Sequence, residues 1–157
     1  EGILTGGADL LLSALTLSAG EVTSTGGIVS LSGGGQLSGT GKLDVSGSTC
    51  VLGGDFEKSS GTLTTTETTN LALSASSTLT SDVSLNFENL NLNDFTLTLG
   101  SLTSDLTVEN AITIDSSGEG ILTGAADFVS LASLDISDGG VTSTDGIVSL
   151  SGGGQLS

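Results

Sequence analysis

The side chains best suited to chemistry in this chain are carboxylates, which stand singly at turn-like positions. Four of these turn acids are Asp115, Glu119, Asp138 and Asp145. A calcium ion takes about six to eight oxygen ligands, which carboxylates and turn carbonyls can supply together. We therefore expect calcium to be the one possible cofactor and these four acids to be its candidate ligands. The competing interpretation is a solvated acidic surface, because the tandem Gly-Gly-x-Gly-x-Asp units of calcium-binding β-rolls are missing.

Catalytic constellations are weak in this sequence. There is no histidine, which excludes His-based triads and His-ligated metal sites. A serine or threonine nucleophile would need Lys42 or Lys58 as its base, and neither lysine lies in a recognisable motif. Asp135 and Asp138 form the kind of carboxylate pair that glycosidases use, but their position on a strand and turn favours solvated side chains. We therefore predict that the protein is not an enzyme.

Paired threonines suggest a binding surface. A flat threonine ladder on a solenoid can match the spacing of ice, provided that the pair recurs once per coil. The first threonines of successive pairs are separated by 41, 14, 18 and 46 residues, which is irregular. Threonine is also simply a good strand residue, so both interpretations stay open. The pairs are Thr23/Thr25, Thr64/Thr66, Thr78/Thr80, Thr96/Thr98 and Thr142/Thr144.

These side chains must be positioned by short strands. Apolar-x-apolar triplets recur along the chain, and a period of two residues is the signature of a strand with one buried face. Glycine, serine, asparagine and aspartate separate the triplets and supply turns. No stretch keeps a helical period for three turns. The predicted core consists of Leu15, Leu17, Leu43, Val45, Leu71, Leu73, Leu85, Phe87, Leu90, Leu92, Leu97, Leu99, Val108, Ile112 and Ile114.

Triplet spacing favours a particular all-β fold. Between Leu85 and Ile114, successive apolar pairs begin every five to eight residues. A β-sandwich prefers turn signals about 8–12 residues apart and a bulky core. With four phenylalanines and no tryptophan or tyrosine, this chain suits a narrow interior instead. We predict a parallel β-helix, or β-solenoid, with three strands and about 20 residues per coil.

Some local features refine this prediction. Residues 54–61 are expected to form a longer excursion from the coil. The glycine runs at 33–35 and 152–154 are expected to mark corners where only glycine can take the backbone angles. Four asparagines form a cluster that predicts either side-chain amide ladders between coils or ordinary turns. They are Asn86, Asn89, Asn91 and Asn93.

The chain also repeats itself over a long period. Residues 1–9 return as 119–127, and residues 22–38 return as 141–157, at offsets of 118 and 119. Recurrence of this kind is typical of tandem arrays of stacked units. We interpret residues 1–157 as one continuous solenoid segment, with a repeat unit at 1–118 and the start of the next at 119–157. One repeat should contain six coils.

Charge and cysteine content exclude several partners. The formal net charge is −16, from 18 acids and two lysines, so neither nucleic acid nor an anionic membrane surface is an expected partner. Apolar runs are far shorter than the roughly 18 residues of a membrane span, so no membrane insertion is expected. Cys50 cannot form a disulfide within the chain, and its apolar neighbours predict a buried free thiol.

The texture of residues 27–47 and 101–110 resembles the repetitive passenger regions of filamentous-haemagglutinin-like adhesins and autotransporters. The resemblance lies in composition and rhythm and extends over most of the chain. It implies a parallel β-helix, secretion to the exterior or surface of a bacterial cell, and a role as stalk, adhesive fibre or matrix component. No functional residue is carried over by it.

Two functional hypotheses follow. The first is a structural, non-enzymatic extracellular fibre or stalk segment, whose partners are further copies of itself, stacked end to end or covalently in tandem. The second is a binding module that uses an exposed Thr/Asn/Asp face to contact carbohydrate, a cell surface or ice. A polysaccharide lyase is a distant third, because Lys42 and Lys58 are the only basic side chains.

Overall fold

Short parallel strands wind around a single axis in the computed structural model of this chain. Each coil contributes about three strands, and each strand pairs in parallel with the strand one coil above or below it. The structure describes residues 2–66, 68–100, 105–114, 120–124, 128–131, 134–136, 140–143, 147–150, 152 and 154–156. This architecture is the predicted all-β parallel β-solenoid, and the described residues contain no helix.

The alternating sequence pattern forms 21 strands within the described residues. They are β1 (Ile3–Gly6), β2 (Leu10–Leu12), β3 (Leu15–Leu17), β4 (Glu21–Ser24), β5 (Ile28–Leu31), β6 (Gly35–Leu37), β7 (Lys42–Asp44), β8 (Thr49–Leu52), β9 (Phe56–Lys58), β10 (Thr62–Thr64), β11 (Asn70–Leu73), β12 (Ser77–Ser81), β13 (Leu85–Asn91), β14 (Thr96–Leu99), β15 (Asp105–Ile114), β16 (Ile121–Gly124), β17 (Phe128–Leu131), β18 (Leu134–Ile136), β19 (Gly140–Ser143), β20 (Ile147–Leu150) and β21 (Gly154–Leu156).

The strands line three faces that the chain visits in a fixed order. The first face begins with β1-β4-β7-β10, the second with β2-β5-β8-β11, and the third runs β3-β6-β9-β12-β14-β16-β19. Strands β13 and β15 each cover two faces, because their first halves pair with one another and onward to β17 and β20, and their second halves pair onward to β18 and β21. Their first halves therefore continue the first face and their second halves continue the second.

The first face is interrupted where β10 meets β13. The backbone N–H of Asn86 donates to Thr65 Oγ1 at 3.2 Å, a side-chain bond in place of a ladder bond. A small apolar cavity of about 30 Å³ lies inside the solenoid at this level, lined in part by Thr65, Leu63 and Leu85. The interruption changes the strand pairing but leaves the order of faces intact.

Inward-facing side chains stack in columns that form the core. Val29, Cys50 and Leu71 occupy the same position in successive coils, 21 residues apart. Alternation drives this arrangement, because a residue pointing inward in one coil stacks on the inward residue of the next. The core prediction is confirmed for 14 of its 15 residues, and the fifteenth, Leu15, is half-buried and packs against the others.

Two local predictions are wrong in an instructive way. Residues 54–61 do not leave the coil, since Phe56–Lys58 forms β9 with Phe56 buried in the core. In the glycine run at 33–35, Gly34 has a positive φ of 78°, whereas Gly33 and Gly35 do not. A Cβ on Gly33 would lie 2.4 Å from the carbonyl oxygen of Ser13, so close coil stacking, not a special angle, requires glycine there.

The long repeat does not contain a whole number of coils. Fifteen described strands, β1 to β15, precede the copy of β1, and β13 and β15 each span two faces, so one repeat contains 17 strand positions. With three positions per coil, the repeat makes five and two-thirds turns, and the expectation of six coils was too high by one strand. The copy of β1, which is β16, therefore lies on the third face.

Both copies nevertheless fold with the same register. In the first copy Leu4 pairs with Val22, and in the second Leu122 pairs with Val141. The other two faces behave in the same way: Leu10↔Val29 returns as Val129↔Val148, and Leu15↔Gly35 returns as Leu134↔Gly154. Identical sequence thus forms identical two-coil blocks, and the second block is turned by one face relative to the first.

Candidate functional site

The four predicted calcium ligands, Asp115, Glu119, Asp138 and Asp145, lie outside the described residues. Within the part of the chain that the structure describes, no three His, Cys, Asp or Glu side chains converge in a way that could hold a metal ion. The calcium site therefore stays a prediction from the sequence.

Other turn acids tie neighbouring coils together. The backbone N–H of Ile28 donates to Asp9 Oδ1 at 2.9 Å, and the N–H of Thr78 donates to Asp55 Oδ1 at 2.6 Å. Both aspartates stand just before a strand, and both accept from the first residues of the strand segment one coil further on. The sequence signal was an aspartate immediately preceding an apolar strand, which we had assigned to solvent. Carboxylates at these corners replace ladder bonds that the turning backbone cannot make.

A charged pair crosses the wall of the solenoid at the third face. Lys58 occupies an inward position, stacked between Leu37 and Ser81, and only 3% of its side chain is exposed. Its Nζ forms an ion pair with Asp82 Oδ1, whose side chain is about half exposed. The aliphatic stem of the lysine thus fills the core while the ammonium reaches the surface, as long basic side chains often do. The hydrogen bond from Lys58 lowers the pKa of Asp82.

We expect Asp82→Asn to destabilise the protein, because it leaves the Lys58 ammonium beside an apolar core without its counter-charge. Lys58→Met should be neutral or stabilising, since a well-packed apolar side chain replaces the whole pair. The lowered pKa of Asp82 adds stability that is fully present above its unfolded value of 3.8 and is lost as pH falls through the folded value.

Urea unfolding followed by circular dichroism between pH 2 and pH 7 measures both effects. In the Asp82→Asn variant the loss of stability below pH 3.8 should be smaller than in the parent chain. Equal stability of the parent and Asp82→Asn at neutral pH would contradict the assigned role of the pair.

Cys50 is a buried free thiol, as predicted. It stacks between Val29 and Leu71, and burial raises its pKa to about 12. The thiolate is the reactive form of cysteine, so this side chain is a core residue without nucleophilic character at neutral pH. It contributes packing and no chemistry.

A threonine column on the third face is the strongest candidate for a binding surface. Thr78 pairs with Thr98, Thr98 with Thr123, and Thr123 with Thr142, so four threonines stack one per coil at an outward position. Each alternates with a buried or partly buried inward residue, such as Leu97 next to Thr98. The column presents a row of hydroxyl and methyl groups parallel to the axis, with one threonine per strand spacing of about 4.8 Å.

The paired-threonine search found only part of this column. Thr123 lies in Ile-Leu-Thr-Gly and has no Thr-x-Thr partner, so the search passed over it. Thr23 and Thr64 were included, but the structure places both against Asp44 on the first face. The second row is not threonine either: Thr96 stacks on Ile121, which stacks on Gly140. The described coils thus carry one threonine row, not the two-row array that ice matching requires.

The asparagines combine the two roles that were considered. Asn89 Nδ2 donates to Asn70 Oδ1 at 2.8 Å, which forms one amide rung between adjacent coils. Asn93 has a φ of 50°, and its Nδ2 donates to the carbonyl oxygen of Leu73 at 2.6 Å, so it serves a tight turn. The rung partner Asn70 lay outside the predicted cluster, because only the coil register brings it opposite Asn89.

Comparisons with models of protein families, with curated proteins and with solved structures find no match to this chain. Nor does any helix among the described residues have the length and hydropathy that crossing a membrane requires. The functional argument therefore depends on the architecture and surface of the solenoid itself.

Proposed function

We propose that this chain is a structural, non-enzymatic segment of an extracellular fibre or stalk, in a repetitive bacterial surface adhesin or filament. The observation that carries the proposal is the unbroken second face, in which parallel ladders link β2 through β5, β8, β11, β13 and β15 to β18 and β21. The returning sequence block is stacked on the same axis, so adding repeats adds length.

The physical properties of the solenoid suit that role. Backbone hydrogen bonds between coils run along the axis, so extension of the fibre works against many bonds at once. The interior is a continuous apolar column, in which residues such as Leu90 and Ile112 are fully buried. An excess of 16 negative charges on the exterior opposes lateral bundling of neighbouring fibres, and salt would weaken this repulsion.

The test is the length of designed tandem arrays. Proteins with two, four and six copies of residues 1–118, each followed by residues 119–157, should appear as rods in negative-stain electron micrographs. Each added copy should lengthen the rod by about 27 Å, since five and two-thirds coils stack about 4.8 Å apart. Rods of constant width support the proposal, whereas globular particles or flexible strings of beads would overturn it.

A second function is favoured by the threonine column, which offers a regular row of hydroxyl groups to carbohydrate, a cell surface or ice. Glycan arrays and thermal hysteresis assays test this binding role. Thr98→Val removes a hydroxyl from the centre of the column with little change in shape, and Thr107→Val, on another face, is its matched control. Binding that is lost only in the Thr98 variant would establish this function, and absence of binding in the parent would exclude it for the ligands assayed.

A further inference from the structure

The same four-residue sequence, Ile-Leu-Thr-Gly, occurs in two very different environments. In β1, Leu4 points towards the interior but is 52% exposed, and Ile3 is 76% exposed. In β16, the equivalent Leu122 is 1% exposed. Since the two strands have identical sequence and equivalent registers on one side, the difference comes from what covers the other side.

The cover on the second copy is a defined segment of this chain. Strand β14 pairs with β16, which places Thr96 opposite Ile121 and Leu97 opposite Leu122. Strand β15 covers the next two strands of the copy, with Leu106 opposite Val129 and Ile112 opposite Leu134. Residues 96–114 therefore supply the whole coil beneath the second copy.

We infer that the open edge of the first coil, formed by β1, β2 and β3, is a docking surface for residues 96–114 of a second copy of this sequence. The inference rests on the proposed fibre function and specifies how the copies join. The occupant is identified by the chain itself, because the same sequence is already seated on this partner one repeat later. Docking would bury Leu4 as Leu122 is buried and would pair the free edge of β1 with a copy of β14.

The junction also fixes the rotation between copies. One repeat has 17 strand positions on three faces, so β1 must stack on a copy of β14, which is a third-face strand in its own copy. Each copy is consequently turned by one face, and a given face returns only after three copies. The threonine column would then appear on a different face in each successive copy, which distributes a binding row around the fibre and prevents one long flat surface.

Disulfide trapping in an extended chain tests both the partner and the rotation. A copy of residues 96–118 is fused in front of Glu1 of the full chain, in a Cys50→Ala background that removes the native thiol. Ile3→Cys is then combined with Thr96→Cys in the added copy. In the inferred junction these two outward positions are direct neighbours in a parallel pair, at a Cα separation that a disulfide accepts, about 4.4–6.8 Å.

The matched control combines Ile3→Cys with Thr107→Cys in the added copy. That position would lie opposite Ile3 only if copies stacked in phase, with a strand of the first face on another of the first face. We expect rapid intramolecular oxidation of the Ile3–Thr96 pair and at least a tenfold slower reaction of the Ile3–Thr107 pair. Preferential oxidation of the Thr107 pair, equal rates, or no oxidation of either pair in a chain that shows the parent's circular dichroism would overturn the inference.

The trapping result and the fibre proposal can fail separately. Tandem arrays that grow by about 27 Å per copy while the Thr107 pair oxidises faster would keep the fibre function and refute the rotated junction. Oxidation of the Thr96 pair in an extended chain whose arrays do not form rods would support the junction and refute the fibre function.

Discussion

Replacing Leu90 with aspartate is expected to unfold the central coils of the solenoid. Leu90 is fully buried on the second face, stacked between Leu71 and Ile112 in adjacent coils. A carboxylate at this position has no cation or hydrogen-bond donor in the apolar column, and burying an unpaired charge costs more than a domain of this size can tolerate. The milder Leu90→Ala should cost about 2–5 kcal/mol of unfolding free energy, because it leaves a cavity that the stacked neighbours cannot fill.

Asn91 supplies the matched control, since it follows Leu90 in the same strand and points outward to solvent. Asn91→Asp introduces the same charge one residue away and should change stability by about 0.5 kcal/mol or less. Urea unfolding monitored by circular dichroism measures all three variants. Comparable losses for Leu90→Asp and Asn91→Asp would mean that inside and outside are wrongly assigned on this strand.

Gly34→Ala should produce the second large loss of stability. Gly34 has a φ of 78°, a backbone conformation that costs other L-residues about 1–3 kcal/mol. A Cβ at this position would also lie 2.0 Å from the carbonyl oxygen of Asp55 in the next coil. Relief of that clash requires the two coils to separate, which would strain the neighbouring bond from Gly35 N–H to the same oxygen at 2.8 Å. The combined loss should therefore exceed about 3 kcal/mol.

Gly26→Ala is the corresponding control because a Cβ there meets no atom within 4 Å and the residue lacks a positive φ. This substitution should leave stability unchanged or raise it by up to about 1 kcal/mol through the restricted unfolded chain. Thermal unfolding of both variants in the same buffer provides the comparison. A Gly34 variant as stable as the Gly26 variant would show that the coils do not stack as closely as described at this corner.

The fold could be predicted from the sequence because its main cause is local. Alternation of apolar and polar residues sets the inward face of each strand, and a chain with four phenylalanines and no tryptophan or tyrosine fills only a narrow interior. Strands such as Leu71–Leu73 and Leu97–Leu99 therefore revealed their buried positions directly. The position of Leu15 was less clear because its burial depends on the coil beneath it, which alternation does not report.

Features that depend on the register between coils could not be predicted. Thr98 and Thr123 stack directly although 25 residues separate them, whereas Thr123 and Thr142 stack at a separation of 19. Corner length absorbs these differences, so a search at fixed spacing misses the column. The same variation hid the rotation of the repeat, since 118 residues divided by about 20 per coil falls close to six. Lys58 was assigned to an excursion because a lysine at an inward position contradicts simple alternation.

Diffraction from aligned fibres of the tandem arrays tests most directly whether coils climb a single axis. The stacked-coil architecture predicts a strong meridional reflection at about 4.8 Å, because strands lie across the fibre and their hydrogen bonds run along it. It also predicts a longer axial spacing of about 27 Å, the height of one repeat. A 4.8 Å reflection on the equator, or the absence of that reflection alongside helical spacings, would contradict the account.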